Sequence, residues 1–317
     1  MKVFLTRELP KVAFELLEKN KISYDYYKKD QPIPRKLLLQ KVKNCEALIS
    51  LLTEKIDKEV IDQMTSCRII ANYAVGYNNI DINYAKKKKI IVTNTPNVLT
   101  ESTADLTLAL ILGCARRFVE GEKLLRSGNY KGWKPKLLLG TELKNKIVGV
   151  IGAGRIGTAV AIRAKSFGTN IIYFDTKRNI ALEKATNAKK VSLKYLLMNS
   201  DIVSIHLPLN EKTLHYLNWK RLKLMKSNSI LINTSRGEII HETDLIRILR
   251  DNKSLTVGLD VFENEPNINP ELLQYPNVLV LPHLGSATRE ARDGMAELAA
   301  KNVIKVLQGK PPLSSVF

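Results

Sequence analysis

A glycine motif that follows a short apolar segment constrains this chain more than any other feature of its sequence. The segment at residues 147–151 runs directly into Gly-Ala-Gly-Arg-Ile-Gly at 152–157. The first glycine of such a motif permits a tight turn, the second lets the backbone approach a phosphate, and the third lets the next helix lie close to the strand. The N-terminus of that helix presents free N–H groups to the ligand. The motif predicts a pyrophosphate-binding loop formed by Gly152, Gly154, Arg155, Ile156 and Gly157.

An acidic residue strengthens this interpretation and bears on the choice of dinucleotide. Asp175 comes 18 residues after Gly157, at the end of the next predicted strand. A carboxylate in this place accepts hydrogen bonds from ribose hydroxyls and repels a 2′-phosphate. Lys177 and Arg178 follow it, and their positive charges would attract the same phosphate. We therefore expect NAD as the cofactor, with NADP as the alternative.

Short segments rich in β-formers alternate with amphipathic stretches along the chain. They lie at 3–6, 22–27, 47–52, 69–75 and 90–94, and then at 147–151, 171–174, 202–206, 229–233, 257–260 and 278–281. Such alternation predicts parallel sheets covered by helices, and six strands complete a dinucleotide-binding fold. We expect an α/β chain of two doubly wound parallel-sheet domains: a flavodoxin-like substrate domain and a Rossmann coenzyme domain, with a cleft between them.

The domain boundaries follow from breaks in this pattern. A chain of 317 residues is long for one hydrophobic core. Thr-Pro-Asn at 95–97 interrupts the first block, and one long helix is predicted from about 101 to 126. The last predicted helix, at about 286–308, has no strand after it in the second block and is expected to pack on the N-terminal domain. These features predict a discontinuous substrate domain, 1–97 plus 287–317, and a coenzyme domain, 98–286.

Composition and charge exclude several classes of function. The net charge of +19 is spread over most predicted helices, with one dense lysine run at 86–89. Because no stripe of basic and aromatic residues appears, we expect no nucleic-acid partner, although the charge would attract an anionic substrate. The apolar run at 106–115 is far shorter than the ~20 residues that span a membrane. The three cysteines are widely spaced, which favours a reducing cytoplasm and argues against a metal site.

Three segments after late strands each carry one ionisable group: Arg236, Glu265 and His283. Open parallel sheets bind ligands at the carboxyl ends of their strands. Reduction of a 2-oxo acid needs a cation for the carboxylate and a proton donor for the carbonyl oxygen. Arginine offers a planar fork for a carboxylate, and histidine titrates near ~6.5, which suits proton transfer. Taken singly, these residues also fit structural roles as a surface ion pair, a loop acid and a turn residue. His206, which ends a strand near the expected cofactor, is a cofactor-binding candidate and the second-choice histidine.

Longer motifs in the sequence carry a resemblance to a known family. They are NYAVGY at 72–77, TPNVLTE at 95–101, GAGRIG at 152–157, NTSRG at 233–237, DVFENEP at 260–266 and PHLGSATRE at 282–290. The chain resembles the D-isomer-specific 2-hydroxyacid dehydrogenases along nearly its whole length. Within them it is most similar to the archaeal-type glyoxylate/hydroxypyruvate reductases.

The resemblance implies roles for individual residues. Arg236 matches the residue that binds the substrate carboxylate, Glu265 the partner of the histidine, and His283 the acid/base. Backbone N–H groups of Val75 and Gly76 are implied to bind the carboxylate as well, with Leu52 and Thr53 as neighbouring contacts. Asp260 matches the residue near the nicotinamide carboxamide, and Thr234 and Ser235 match cofactor-lining positions. The resemblance also implies a homodimer through the coenzyme domains, in which Trp133 reaches the partner's active site.

The resemblance leaves the substrate open. The expected reaction is reduction of glyoxylate or hydroxypyruvate to its D-2-hydroxy acid, with D-3-phosphoglycerate or D-lactate dehydrogenation as alternatives. A remote alternative is a corepressor-like protein that binds NAD on the same fold. One departure is Asn78, where the family usually has Asp. Glu265 stands where formate dehydrogenases carry Gln, which argues against that branch.

Overall fold

The computed structural model describes residues 3–252 and 254–317. The chain divides into two compact units. Unit 1 consists of Met1–Leu99 and Ser286–Phe317, and unit 2 is Thr100–Gly285. The first unit is therefore built from both ends of the chain, and the second from its middle.

The described residues form strands and helices in near-regular alternation. The strands are β1 (Val3–Leu5), β2 (Tyr24–Tyr26), β3 (Ala47–Ser50), β4 (Ile69–Asn72), β5 (Ile91–Thr93), β6 (Ile147–Ile151), β7 (Asn170–Phe174), β8 (Lys189–Lys190), β9 (Ile202–Ile205), β10 (Ile230–Asn233), β11 (Thr256–Leu259) and β12 (Val278–Val280). The helices are α1 (Lys11–Lys19), α2 (Arg35–Lys41), α3 (Lys58–Gln63), α4 (Ile82–Lys87), α5 (Thr100–Ala115), α6 (Phe118–Arg126), α7 (Arg155–Ser166), α8 (Ile180–Thr186), α9 (Leu193–Asn199), α10 (Trp219–Leu222), α11 (Glu242–Asp251) and α12 (Arg289–Leu307).

Unit 1 contains a parallel sheet in the order β2-β1-β3-β4-β5. This is the flavodoxin-like order that the sequence predicted. Strands β3 and β4 are buried along their whole length, as expected for a sheet covered on both faces. Helix α12 packs on α1 and β4, and the hydroxyl of Tyr73 donates a hydrogen bond of 2.9 Å to the carbonyl of Arg292. The last helix thus belongs to the core of the N-terminal sheet.

Unit 2 contains a seven-stranded parallel sheet in the order β12-β11-β10-β9-β6-β7-β8. The order reverses at β6 and β9, so the sheet is doubly wound about β6, as in a Rossmann fold. The sequence predicted six of these strands. It missed β8, because a strand of two exposed lysines carries no apolar pattern.

The single long helix predicted at about 101–126 is wrong. The chain forms α5 and α6, and the helix ends where Arg117 adopts a left-handed backbone with φ of 55°. The guanidinium of Arg117 holds this turn by two hydrogen bonds of 2.6 and 2.5 Å to the carboxylate of Glu120. Helix α5 is buried along much of its length, whereas α6 has no buried residue. Both halves have helical composition, so the sequence pattern does not reveal the break.

Two properties of the described residues bear on the classes of protein considered above. No helix within 3–252 or 254–317 combines the length and the apolar character needed to cross a bilayer. The same residues contain no cluster of three or more His, Cys, Asp or Glu side chains suited to a metal ion. Cys45, Cys67 and Cys114 are free thiols and all are buried.

Candidate active site

The carboxyl ends of three neighbouring strands in unit 2 carry the ionisable residues that the sequence singled out. Strand β11 pairs with β10 on one side and with β12 on the other, all parallel. Arg236 lies three residues after β10, Asp260 directly follows β11, and His283 lies three residues after β12. Because parallel strands end at the same edge of a sheet, these side chains share one edge.

His283 and Glu265 form a hydrogen-bonded pair at this edge. The Nδ1 of His283 lies 2.7 Å from Oε2 of Glu265, and Oε1 of Glu265 accepts the N–H of Phe262 at 3.0 Å. Burial alone would raise the pKa of Glu265, but the hydrogen bond and charge of His283, with the N–H of Phe262 and the charge of Arg236, hold it below its usual value. Glu265 is therefore a carboxylate at neutral pH. The Nε2 of His283 lies on the side of the ring away from Glu265.

The backbone at His283 is held in an uncommon conformation by Asp260. His283 has a φ of 56°, in the left-handed region that residues other than glycine rarely adopt. The Asp260 carboxylate accepts the N–H of Leu284 at 2.6 Å and that of Gly285 at 2.8 Å, and its carbonyl accepts the N–H of His283 at 2.9 Å. Desolvation raises the pKa of Asp260 despite these hydrogen bonds. Asp260 thus fixes the turn that presents the imidazole.

Arg236 begins a turn that packs tightly against the segment carrying Glu265. A Cβ built on the next residue, Gly237, would lie 1.9 Å from the carbonyl carbon of Phe262, so only glycine allows this approach. Burial lowers the pKa of Arg236, while the charges of Glu238 and Glu265 oppose the shift. The guanidinium remains charged because an arginine titrates far above neutral pH. Its Nη1 donates a hydrogen bond of 2.6 Å to the carbonyl of Ser235.

The glycine loop has the shape that a dinucleotide requires. Strand β6 leads into the loop, and Gly154 is the N-cap of α7. A Cβ on Gly157 would lie 2.1 Å from the carbonyl oxygen of Gly152, and a Cβ on Gly152 would lie 2.5 Å from that of His206. A Cβ on Gly154 would meet no protein atom within 4 Å. Gly152 and Gly157 are therefore required by packing, whereas Gly154 leaves open space in front of a helix N-terminus, where a pyrophosphate fits.

Asp175 directly follows β7 and binds the glycine loop. Its Oδ2 accepts the N–H of Ala153 at 2.8 Å. Asn179, which caps α8, donates from its side chain to the carbonyl of Ala153 at 2.8 Å. The turn 175–179 is thus hydrogen-bonded to both the N–H and the carbonyl of Ala153. These two contacts fix the Asp175 carboxylate beside the cofactor site. Sequence reasoning did not identify Asn179; its position just before a helix was the available signal.

His206 follows β9 and is neutral. Burial lowers its pKa to about 3, and its Nε2 lies 2.8 Å from the hydroxyl of Ser204. An imidazole that stays neutral at physiological pH cannot act as a cationic proton donor. His206 therefore differs from His283, which has a carboxylate partner. Its backbone carbonyl lies next to Gly152, so it borders the glycine loop.

The two remaining cofactor-lining candidates are engaged within the fold. The hydroxyl of Thr234 lies 2.8 Å from that of Thr107 on α5, which attaches the end of β10 to that helix. The hydroxyl of Ser235 donates to the side chain of Asn233 at 2.8 Å. Both residues thus shape the turn that leads to Arg236.

The predicted substrate contacts of unit 1 lie at the carboxyl edge of its sheet. Leu52 is exposed, two residues after β3. The carbonyl of Val75 accepts a hydrogen bond from the side chain of Asn94 at 2.8 Å, and that of Gly76 accepts one from Asn72 at 2.8 Å. Two asparagines therefore orient the backbone of this loop. In unit 2, Trp133 is 82% exposed on the segment after α6.

A second histidine–carboxylate contact lies beside Glu265 and was missed. The rings of His215 and His241 pack with centroids 4.6 Å apart. The Nε2 of His215 lies 2.6 Å from Oε1 of Glu263, and Oε2 of Glu263 accepts the N–H of Glu242 at 2.9 Å. Glu263 thus ties the segment of Glu265 to the N-terminus of α11. No periodicity in the sequence relates these residues.

Comparison with known proteins agrees with this geometry. The family model described as D-isomer specific 2-hydroxyacid dehydrogenase, NAD binding domain, matches residues 108–285. The chain is 48% identical to a glyoxylate reductase of Thermococcus litoralis over 315 residues, which covers 98% of this chain and 95% of the relative. The chain belongs to the D-isomer-specific 2-hydroxyacid dehydrogenase family. It is therefore an NAD- or NADP-dependent oxidoreductase.

Solved structures of similar proteins match this chain along its whole length. The TT0316 protein of Thermus thermophilus is 40% identical, with a TM-score of 0.93, and the match covers 100% of both chains. A glyoxylate reductase from Paecilomyes thermophila is 32% identical, with a TM-score of 0.90, and the match covers 100% of this chain and 98% of that one. The dehydrogenase fold assigned above thus extends over both units.

Proposed function

We propose that this dehydrogenase reduces glyoxylate or hydroxypyruvate to the corresponding D-2-hydroxy acid, with NADH as the preferred cofactor. The observation that carries the proposal is the pair formed by His283 and Glu265. Because Glu265 takes the Nδ1 side of the ring at 2.7 Å, Nε2 is the nitrogen available to a substrate. The choice of substrate rests on similarity to proteins named glyoxylate reductase.

In this proposal each residue of the edge has one chemical task. Bound NADH supplies the hydride. The guanidinium of Arg236 binds the substrate carboxylate and polarises the adjacent carbonyl. His283 donates the proton on Nε2 to the carbonyl oxygen as negative charge develops there. The carboxylate of Glu265 stabilises the imidazolium before transfer, and Asp260 holds the turn that orients it. His206, Thr234, Ser235 and the glycine loop belong to the cofactor side.

Unit 1 contributes substrate contacts through its backbone. The carbonyl of Ala74 accepts the N–H of Thr95 at 2.9 Å, and that of Val75 accepts the side chain of Asn94. In a planar trans peptide the N–H points opposite to the C=O. The N–H groups of Val75 and Gly76 are therefore directed away from these partners, which supports their assignment to the substrate carboxylate. Leu52 is proposed as an apolar contact near the substrate, and Trp133 as a contact to the substrate of the partner subunit. We accordingly propose unit 1 as the substrate domain and unit 2 as the coenzyme domain, which also carries Arg236, Glu265 and His283.

We further propose a cytoplasmic homodimer that forms through unit 2. Helix α6 exposes Phe118 and Leu125, with 59% and 63% of their surface accessible, and Leu139 is 65% exposed nearby in sequence. An apolar helix face of this kind requires cover. Phe118→Asp should convert a dimer to a monomer in sedimentation, whereas Ile180→Asp on α8, where 58% of the residue is exposed, should not. A parent chain that sediments as a monomer contradicts the proposed dimer.

The function is tested by following NADH oxidation with glyoxylate, hydroxypyruvate and pyruvate, each repeated with NADPH. We expect rapid turnover of glyoxylate or hydroxypyruvate with NADH, slower turnover with NADPH, and weak activity with pyruvate. Preferred turnover of pyruvate would identify a D-lactate dehydrogenase. Turnover that requires a phosphorylated 2-oxo acid would identify a 3-phosphoglycerate dehydrogenase. A protein that binds NADH and turns over none of these would support the binding-protein alternative.

A further inference from the structure

The turn after Asp175 contains a cation that is already bound to an acid of the same unit. The Nε of Arg178 donates to Oε2 of Glu183 at 2.8 Å and lies 3.1 Å from its Oε1, and Nη2 lies 2.8 Å from Oε2. The Arg178 side chain is 71% exposed, whereas that of Glu183 is only 15% exposed. The arginine is thus an accessible group whose hydrogen-bonding edge is taken up by a largely covered carboxylate.

Glu183 is held independently of the arginine. The buried hydroxyl of Tyr173 on β7 donates to its Oε1 at 2.7 Å, and the same hydroxyl accepts the N–H of Asn179 at 2.8 Å. Hydrogen bonds from Arg178 and from Tyr173 lower the pKa of Glu183, so it is ionised at neutral pH. The carboxylate therefore stays in position whether or not Arg178 is bound, and it competes with any other anion for the guanidinium.

The anion that would compete with Glu183 for the guanidinium of Arg178 is the 2′-phosphate of NADP. Under the proposed function, on which this inference rests, Asp175 binds the adenosine ribose of NAD. Arg178 lies in the turn 175–179, which is joined to the glycine loop at Ala153 by both Asp175 and Asn179. An arginine beside the ribose is the usual ligand of a 2′-phosphate. Glu183 occupies the Nε–Nη2 edge of Arg178 and balances its charge, so a 2′-phosphate could form a two-pronged contact with this edge only after Arg178 leaves Glu183.

We propose that Glu183 is a specificity-determining residue for the cofactor, because it withholds Arg178 from the 2′-phosphate of NADP. Asp175 repels that phosphate directly, and Glu183 engages the arginine of the same turn that would compensate. The two acids thus act on the same discrimination through different contacts. Glu183 does not touch the cofactor, so it is a positioning residue.

The expected size of the effect follows from the exposure of the pair. Exposed ion pairs are weak, so release of Arg178 should change affinity for a 2′-phosphate by roughly 1.5-fold to fivefold. The gain should shrink as ionic strength rises, because exposed charges are screened. Glu183→Gln is the suitable variant, since its amide oxygen still accepts the hydrogen bond from Tyr173 and only the charge is removed.

The test compares binding of adenosine 2′,5′-bisphosphate and adenosine 5′-monophosphate by calorimetry at low and high salt. These probes differ only in the 2′-phosphate. We expect Glu183→Gln to improve the affinity for the bisphosphate by roughly 1.5-fold to fivefold relative to the monophosphate. The double variant Glu183→Gln/Arg178→Gln should lose this gain. Thermal unfolding of each variant checks that the fold is retained, and the ratio of kcat/KM with NADPH to that with NADH should follow the binding ratio.

The outcomes separate this inference from the proposed function. An unchanged affinity ratio in Glu183→Gln, with NADH turnover intact, overturns the role of Glu183 and leaves the reductase function standing. A gain that persists in the double variant also overturns it, because the gain would then not pass through Arg178. A parent that binds neither NADH nor adenosine 5′-monophosphate overturns the proposed function and the inference with it.

Discussion

The Nδ1 of His283 lies 2.7 Å from Oε2 of Glu265 at the carboxyl edge of the unit 2 sheet. The two residues are 18 positions apart in sequence. They meet because β11 and β12 are neighbours and each is followed by a loop at the same edge. The pKa of Glu265 lies below its usual value, as described above, so this partner of the imidazole carries a full negative charge through the neutral range.

Removing that charge should slow the reduction. In Glu265→Gln the amide still reaches Nδ1, but the negative charge beside the ring that donates the proton is lost. The kcat with glyoxylate should fall by roughly 10²-fold, while the dissociation constant of NADH stays close to that of the parent. Glu263→Gln, on the same segment but bound to His215, is the matched control and should keep the kcat of the parent. An unchanged kcat in Glu265→Gln would refute the role of Glu265.

The glycine loop offers two substitutions with opposite expected effects. Gly154→Ala places a methyl group in the open space, so stability should change by less than about 1 kcal/mol, while the dissociation constant of NADH rises about tenfold or more. Gly157→Ala drives a Cβ to 2.1 Å from the carbonyl of Gly152 and should destabilise the fold by about 1–3 kcal/mol. Fluorescence titration with NADH and thermal unfolding separate the two. Unimpaired NADH binding by Gly154→Ala would show that no pyrophosphate occupies this space.

Asp175 should govern discrimination against NADPH. Asp175→Ala removes the charge that repels a 2′-phosphate, so the ratio of kcat/KM with NADPH to that with NADH should rise at least about tenfold. Asp175→Ser is the control for structure, because its hydroxyl still accepts the N–H of Ala153, and it should relax discrimination similarly. A parent enzyme that already prefers NADPH would contradict this interpretation of Asp175.

His206 should make stability depend on acid pH. Its folded-state pKa is about 3, below the ~6.5 of an unfolded histidine, so the unfolded state binds an extra proton between these values. Its contribution to stability is therefore complete above pH ~6.5 and is lost as pH falls toward about 3. Urea unfolding at pH 7 and pH 5 should show the parent losing about 2 kcal/mol more than His206→Asn. Parallel losses in the two proteins would mean that His206 is not held neutral.

Much of this fold follows from local patterns in the sequence. Buried parallel strands read as short apolar runs, and glycine spacing marks the turn after β6. The break between α5 and α6 was missed because it depends on a left-handed residue, Arg117, within a helix-favouring stretch. The strand β8 was missed because its two lysines are paired only by the backbone of β7. Periodicity carries no information on either feature.

The candidate site likewise has residues that the sequence motifs predicted and contacts that they did not. Arg236, Glu265 and His283 could be selected as candidates because each stands after a strand in a motif. Contacts such as that of Glu183 with Arg178, or of Glu263 with His215, join side chains whose neighbours in sequence are ordinary helix or loop residues. Asp260 was identified, but its engagement with two backbone N–H groups of the His283 turn required the three-dimensional arrangement. The candidate functional residues were therefore more predictable than the contacts that position them.

The central claim is that His283 donates the proton during reduction of a 2-oxo acid. The most direct measurement is single-turnover oxidation of bound NADH by glyoxylate in the parent, in His283→Ala and in His206→Asn. We expect His283→Ala to lower the rate by about 10²–10⁴ with the dissociation constant of NADH little changed. His206→Asn should stay within about tenfold of the parent, because the neutral imidazole of His206 is not the cationic proton donor. An unchanged rate in His283→Ala would contradict the account and remove this histidine from the mechanism.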